Sequence, residues 1–353
     1  MKKTISIIIS IAMCAMLASC GGVKNEVSDT EQPTLMDTMS LEEKVGQILF
    51  VRCVEDEQTD DLMSIKPGGI LMFGRDFERL TKDEVKEKIQ SYQDKSDIPL
   101  IIGADEEGGT VVRVSSNPNL APEKFKSPQE IYNEGGMDAV VENATEKSEL
   151  LLSLGVNMNL APVADVSTNP SDYMYDRSLG QNAEVTADFV SKTVTAMNNA
   201  GIMSVLKHFP GYGGDSHQGT VYDDKTAESI RENDLLPFKA GIEAGASSVL
   251  VAHNTVNALD SENPASLSPT IHNMLRDECG FDGVIMTDDI AMGAVADMEN
   301  VYVKAVNAGN DLLITTDYQT GYNQILNAVK CGEISEETLN SAVERVLKMK
   351  GQI

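Results

Sequence analysis

The sequence predicts an α/β protein built as a single (β/α)8 barrel of the TIM type, and three observations carry that prediction. Eight short apolar, β-branched runs recur along the chain. Segments of helical periodicity separate nearly all of them, as in a parallel sheet covered by helices. Eight runs suit barrel closure better than an open doubly wound sheet, and no G-x-G-x-x-G follows the first run.

Taken in order, the first four strand candidates are "VGQILFVR" (45–52), "GGILMF" (68–73), "IPLIIGAD" (98–105) and "VNMNLAPVAD" (156–165). The second four are "IMSVLKHF" (202–209), "SSVLVAHN" (247–254), "DGVIMTDD" (282–289) and "DLLITT" (311–316). Helical patterns cover about 81–94, 137–154, 183–200, 232–244, 268–278, 298–308, 320–331 and 335–350. Gly155, Gly201, Gly245, Gly280 and Gly309 follow five of them, the position that favours a left-handed residue. Ser40 with Glu43, and Ser127 with Glu130, have capping-box spacing. The link after the first strand is weak, offering only "EQTDDLMSI" as a partial helix.

The first 33 residues stand apart from this pattern. Lys2 and Lys3 precede an apolar stretch from Ile5 to Leu17, which is too short for a comfortable membrane span and reads as a signal peptide. It ends in Leu17-Ala18-Ser19-Cys20, which resembles a bacterial lipobox. That resemblance implies a signal peptide over 1–19, a lipid on Cys20 and a location outside the cytoplasmic membrane. Residues 20–33 then form a polar, Gly- and Pro-bearing tether, and 34–353 form the barrel. Without residues 1–19 the chain has 26 basic and 55 acidic residues, a formal charge of −29. So acidic a surface excludes nucleic acid as a partner and leaves the lipid as the expected membrane contact. Cys53, Cys279 and Cys331 have neither CxxC nor zinc spacing, and read as core residues or as one incidental pair plus a free thiol. A monomer is the favoured state.

A barrel places its chemistry where strands end. Strand three ends in Asp105-Glu106-Glu107-Gly108-Gly109, strand four leads to Asp165, and strand five ends in Lys207-His208. Strand six ends in His253-Asn254 and strand seven in Thr287-Asp288-Asp289. Only four histidines exist, with no H-E-x-x-H or H-x-H, so neither metal nor cofactor is expected. No G-x-S-x-G elbow supports a serine nucleophile. Carboxylates, histidines, a lysine and Arg113 remain, a set suited to acid/base and covalent carboxylate chemistry on a polyhydroxylated substrate.

Six segments carry a resemblance: "SLEEKVGQILFV", "GADEEGGTVVR", "GVNMNLAPVADV", "YDRSLG", "KHFPGYG…DSH" and "FDGVIMTDDIAM". Together, over about 36–350, they resemble family 3 glycoside hydrolases, most closely the single-domain β-N-acetylglucosaminidase branch. The resemblance implies a retaining hydrolase that releases terminal β-linked N-acetylglucosamine from cell-wall or chitin fragments. It implies Asp288 as nucleophile, with Asp289 the rival on sequence alone, because adjacent strand residues point opposite ways and only one faces the sugar. Lys207 or Arg113 would help to keep that carboxylate ionised. The resemblance gives the acid/base role to His217 with Asp215 on a glycine-hinged loop, since an imidazole titrates near neutrality. It gives Asp105, Arg113, Arg177, Lys207 and His208 the terminal sugar, and leaves Asp165 and His253 as supporting candidates. One departure stands out. Gly214 alone separates "KHFPGYG" from "DSH", where related sequences have several residues more, so His217 needs a rearranged loop to reach the scissile bond. The alternatives are a phosphorylase, which would release a sugar 1-phosphate, and an inactive glycan-binding lipoprotein, which has no use for a nucleophile.

Overall fold

The computed structural model describes residues 34–212 and 222–353. The proposed signal peptide, Cys20 and the tether lie outside the described residues. Eight parallel strands form the barrel: β1 (Leu49–Arg52), β2 (Gly69–Met72), β3 (Ile101–Ala104), β4 (Met158–Asn159), β5 (Met203–Phe209), β6 (Ser248–Val251), β7 (Val284–Thr287) and β8 (Leu313–Thr315). Each pairs with its sequence neighbours, and β8 pairs with β1 through Leu49↔Leu313 and Phe50↔Ile314. A single parallel bridge, Met286↔Leu312, joins β7 to β8 and closes the circle.

Alternation along each strand sorts the core into two layers. Phe50, Leu71, Ile101, Met158, Val205, Leu250, Met286 and Ile314 fill the barrel interior, joined by Val346 of the last helix. Their neighbours Leu49, Ile70, Ile102 and Leu313 face the surrounding helices, as do Leu206, Val249 and Ile285 on the other half. Gly103 takes an interior position because Phe50 fills that space. A Cβ there would stand 2.6 Å from Phe50 Cζ and 3.1 Å from Leu160 Cδ1.

Several boundaries differ from the sequence reading. The run 45–52 is helix for its first part: Leu41–Gln47 is helical, opened by the Ser40/Glu43 capping box, and only Leu49–Arg52 is strand. Strand four shrinks to two residues, prolonged by one bridge from Val163 to Lys207. The weak link after β1 is helical after all, as a short 3-10 turn (Asp56–Gln58) running into Thr59–Ser64. Ser127 also caps its helix as expected, but that helix begins at Pro128 and is interrupted at Gly136. All five helix-following glycines are left-handed, with φ between 65° and 113°. The three thiols are free, and Cys331 is exposed rather than core, because it sits on the outer last turn before Gly332.

Candidate active site

The barrel's interior register, carried to the C-terminal rim, delivers a ring of functional side chains. The positions that continue Phe50, Leu71, Ile101, Val205 and Met286 are Arg52, Phe73, Asp105, Lys207 and Asp288. All five line one cleft of about 560 Å3, together with Arg113, Arg177, His208 and Asp289. The volume is that of a small-molecule site. Alternation thus turns an apolar barrel core into a charged floor within one residue step.

Two buried cations and two carboxylates form the centre of this floor. Lys207 Nζ lies 2.7 Å from Asp105 Oδ1 and 2.6 Å from Glu107 Oε1. Arg177 grips Glu107 with two parallel bonds, Nε to Oε2 at 2.9 Å and Nη2 to Oε1 at 2.7 Å. Burial alone would raise the Glu107 carboxyl, but Lys207 and Arg177 overcome it and hold the group well below the usual carboxylate range. Arg113 reaches Asp105 Oδ2 at 3.4 Å. Its backbone is fixed by Glu106, whose carboxylate accepts the amides of Arg113 (2.8 Å), Val114 (2.7 Å) and Ser115 (3.2 Å). Lys147 donates to the Glu107 carbonyl at 2.8 Å from the adjoining helix, and burial pulls its ammonium down to about 8.

His208 falls off the interior register, yet it lines the same cleft. The ladder to β6 is irregular between Leu206 and Phe209, so alternation fails there; the Lys207–His208 peptide is cis. The His208 side chain is 3 % exposed and its ring is oriented at both nitrogens. Arg177 Nη2, which can only donate, stands 3.4 Å from Nε2, so that nitrogen accepts and the proton sits on Nδ1. Nδ1 in turn donates to Asp165 Oδ2 at 2.8 Å. Asp165 also accepts the amides of His208 (3.2 Å) and Tyr212 (2.6 Å), which places it beneath the histidine rather than in the cleft.

Asp288 and Asp289 both come to the cleft, but their carboxylates are turned differently. Strand β7 stops at Thr287, so alternation no longer holds Asp289 away from the cleft, and both aspartates line it. Asp288 keeps the interior register, with its amide donating to Val251 O at 3.1 Å. The Asp289 carboxylate turns aside to Arg52, at 3.2 Å, and accepts the Ala291 amide at 2.9 Å. Burial raises its pKa. His253 braces this turn from below: Nε2 donates to Asp289 O at 3.0 Å, so Nδ1 accepts the Ser266 hydroxyl at 2.7 Å. Burial lowers the His253 pKa, consistent with a neutral ring. Asp215 and His217 lie outside the described residues.

The sequence match decides the family. Residues 40–349 match the glycosyl hydrolase family 3 N-terminal domain. The chain belongs to glycosyl hydrolase family 3. It is 30% identical over 319 residues to beta-hexosaminidase A of Pseudoalteromonas piscicida, covering 81% of this chain and 53% of that protein. Against beta-hexosaminidase LpqI of Mycobacterium tuberculosis the identity is 28% over 329 residues, covering 89% and 83%. The chain therefore spans about half of the first relative and four fifths of the second. Among solved structures, a family 3 β-N-acetylglucosaminidase from Paenibacillus sp. str. FPU-7 superposes with a TM-score of 0.83 at 29% identity, covering 89% of this chain and 62% of that one. The M. tuberculosis LpqI structure superposes with a TM-score of 0.81 at 27% identity, covering 89% and 94%.

Within this family 3 site, sequence reasoning placed Asp105, Arg113, Arg177, Lys207, His208 and Asp288 at strand ends or in motifs, and the structure brings all six to one cleft. It gave no role to Glu107, the anion between the two buried cations. The signal was present as three consecutive acids at the end of β3, which need nearby cations to be buried. Arg52 and Phe73 were also missed, although the interior register alone points to both. Their side chains stack, with the Arg52 guanidinium 4.0 Å from the Phe73 ring centroid and that of Arg113 5.2 Å from it.

Proposed function

We propose that this chain is an exo-acting, retaining β-N-acetylhexosaminidase that releases terminal β-linked N-acetylglucosamine from peptidoglycan fragments or chitooligosaccharides. The observation that carries the reading is the placement of Asp288 at the β7 rim, in one cleft with Asp105, Lys207, Arg177 and His208. Those four, with Arg113, offer fixed donors and acceptors to the hydroxyls and acetamide of one terminal sugar. Asp288 attacks the anomeric carbon and forms a glycosyl ester as the bond to the leaving oxygen breaks. His217, paired with Asp215, protonates that oxygen; it then takes a proton from the water that opens the ester. Relatives named beta-hexosaminidase support the substrate class.

Initial rates on p-nitrophenyl β-N-acetylglucosaminide and on the corresponding β-glucoside test this reading, each with and without phosphate. The expected result is a strong preference for the acetamido sugar and no dependence on phosphate. Sugar 1-phosphate as the product would make the chain a phosphorylase, and activity on neither substrate would leave a binding protein. In the same assay His217→Ala should lose less on the aryl substrate than on a disaccharide, because nitrophenolate leaves without protonation. Equal losses would remove His217 from the acid role.

A further inference from the structure

Three rings pack in a row beside the cleft, and the two outer ones, His208 and Tyr173, line it. His208 lies at the base, buried on Asp165. The Tyr212 ring meets it edge-on, with centroids 5.5 Å apart and planes at 69°. The Tyr173 ring follows, 6.0 Å from Tyr212 and tilted by 39°. Tyr173 belongs to the loop between β4 and the helix Ala183–Ala200, the loop that also supplies Arg177. It is 40% exposed and lines the cleft. Of the four exposed large hydrophobic side chains among the described residues, it is the one at the cleft.

Depth assigns the part of the substrate that these rings meet. The charged groups of the floor are far less exposed, at 3% for Lys207, 13% for Asp105 and 12% for Arg177. An exo-acting site holds the terminal sugar at its closed end, so the leaving group extends toward the mouth, where Tyr173 stands. The leaving group must also remain near Asp288, because the bond that breaks is on the carbon Asp288 attacks. Tyr173 lines the same cleft as Asp288.

The geometry points to Tyr173, braced by Tyr212, as the platform on which the sugar ring of the leaving group stacks, and so as a residue that sets aglycone preference. The inference rests on the exo-glycosidase reading above. A pyranose presents C–H groups on its face, and an aromatic ring offers them a large, rigid apolar surface that needs little ordering.

The test compares wild type, Tyr173→Ala and Tyr173→Phe on the β-1,4-linked disaccharide of N-acetylglucosamine and on methyl β-N-acetylglucosaminide, whose leaving group has no ring. In Tyr173→Ala the ratio of kcat/KM for disaccharide over methyl glycoside should fall about 3- to 10-fold, mainly through KM. Tyr173→Phe should restore the ratio. An unchanged ratio in Tyr173→Ala overturns the assignment. In an Asp288→Asn background, calorimetry should show disaccharide binding more tightly than the free monosaccharide, and Tyr173→Ala should erase that difference. If wild type cleaves neither substrate, the hydrolase reading fails by itself, while the calorimetric comparison still decides whether Tyr173 is a platform.

Discussion

Replacing Asp288 by alanine should lower kcat/KM by at least about 10³-fold, or roughly 4 kcal/mol of transition-state stabilisation. The reason is that Asp288 continues the interior register of β7 into the cleft, whereas the neighbouring Asp289 carboxylate is turned to Arg52 and the Ala291 amide. Asp289→Asn is the matched control. Its carboxylate is turned to Arg52 and the Ala291 amide, and the contact it makes with His253 runs through its backbone carbonyl. That variant should lose no more than about 10-fold, since it weakens one part-exposed ion pair and leaves the turn intact. The thermal melt of Asp289→Asn should stay close to wild type, because its partner Arg52 is part-exposed. Equal loss in the two variants would remove the distinction between them.

Glu107→Gln should be the most destabilising change in the cleft. Glu107 neutralises Lys207 and Arg177 together while almost fully buried. Removing one partner of a buried pair costs about 3–5 kcal/mol, because it leaves the other charge uncompensated. The melting temperature should therefore fall by about 4–8 °C for a chain of this size. Activity should fall with it, since Lys207 and Arg177 lose the anchor that aims them at the sugar. The pH dependence has a definite sign. The folded-state pKa of Glu107 is depressed, so its stabilisation is complete above the ordinary glutamate range and is lost as pH falls toward the folded value. The gap in melting temperature between wild type and Glu107→Gln should accordingly hold from pH 7 to about 5 and narrow below about 4.5. A gap that widens on acidification would contradict the ion-triad account.

The legible and illegible parts of this protein separate by how local their causes are. The eight strands were readable because a barrel strand packs apolar side chains on both faces, as Leu49, Phe50 and Val51 do. The first strand was read too long because Val45 and Ile48 are as apolar as a strand requires, although Val45 lies on the buried side of a short helix and Ile48 caps its end. Strand β4 was read too long for the opposite reason, since its last residues leave the ladder around Ala161–Pro162. The strand-end rule and the motifs found Asp105, Lys207 and Asp288. They did not show that Arg177 and Glu107, 70 residues apart, form one bidentate pair, because no local spacing encodes a contact across the barrel mouth. Tyr173 was missed for a similar reason: nothing in its loop marks it until Tyr212 and the cleft are set beside it.

The central claim is that Asp288 and its partners release a terminal N-acetylglucosamine by double displacement. The most direct measurement is proton NMR of the first sugar formed from methyl β-N-acetylglucosaminide, recorded before mutarotation. Double displacement predicts that the released sugar appears first as the β-anomer, with overall retention through a glycosyl ester. Initial appearance of the α-anomer would mean that water attacks directly, and it would contradict the nucleophilic role of Asp288.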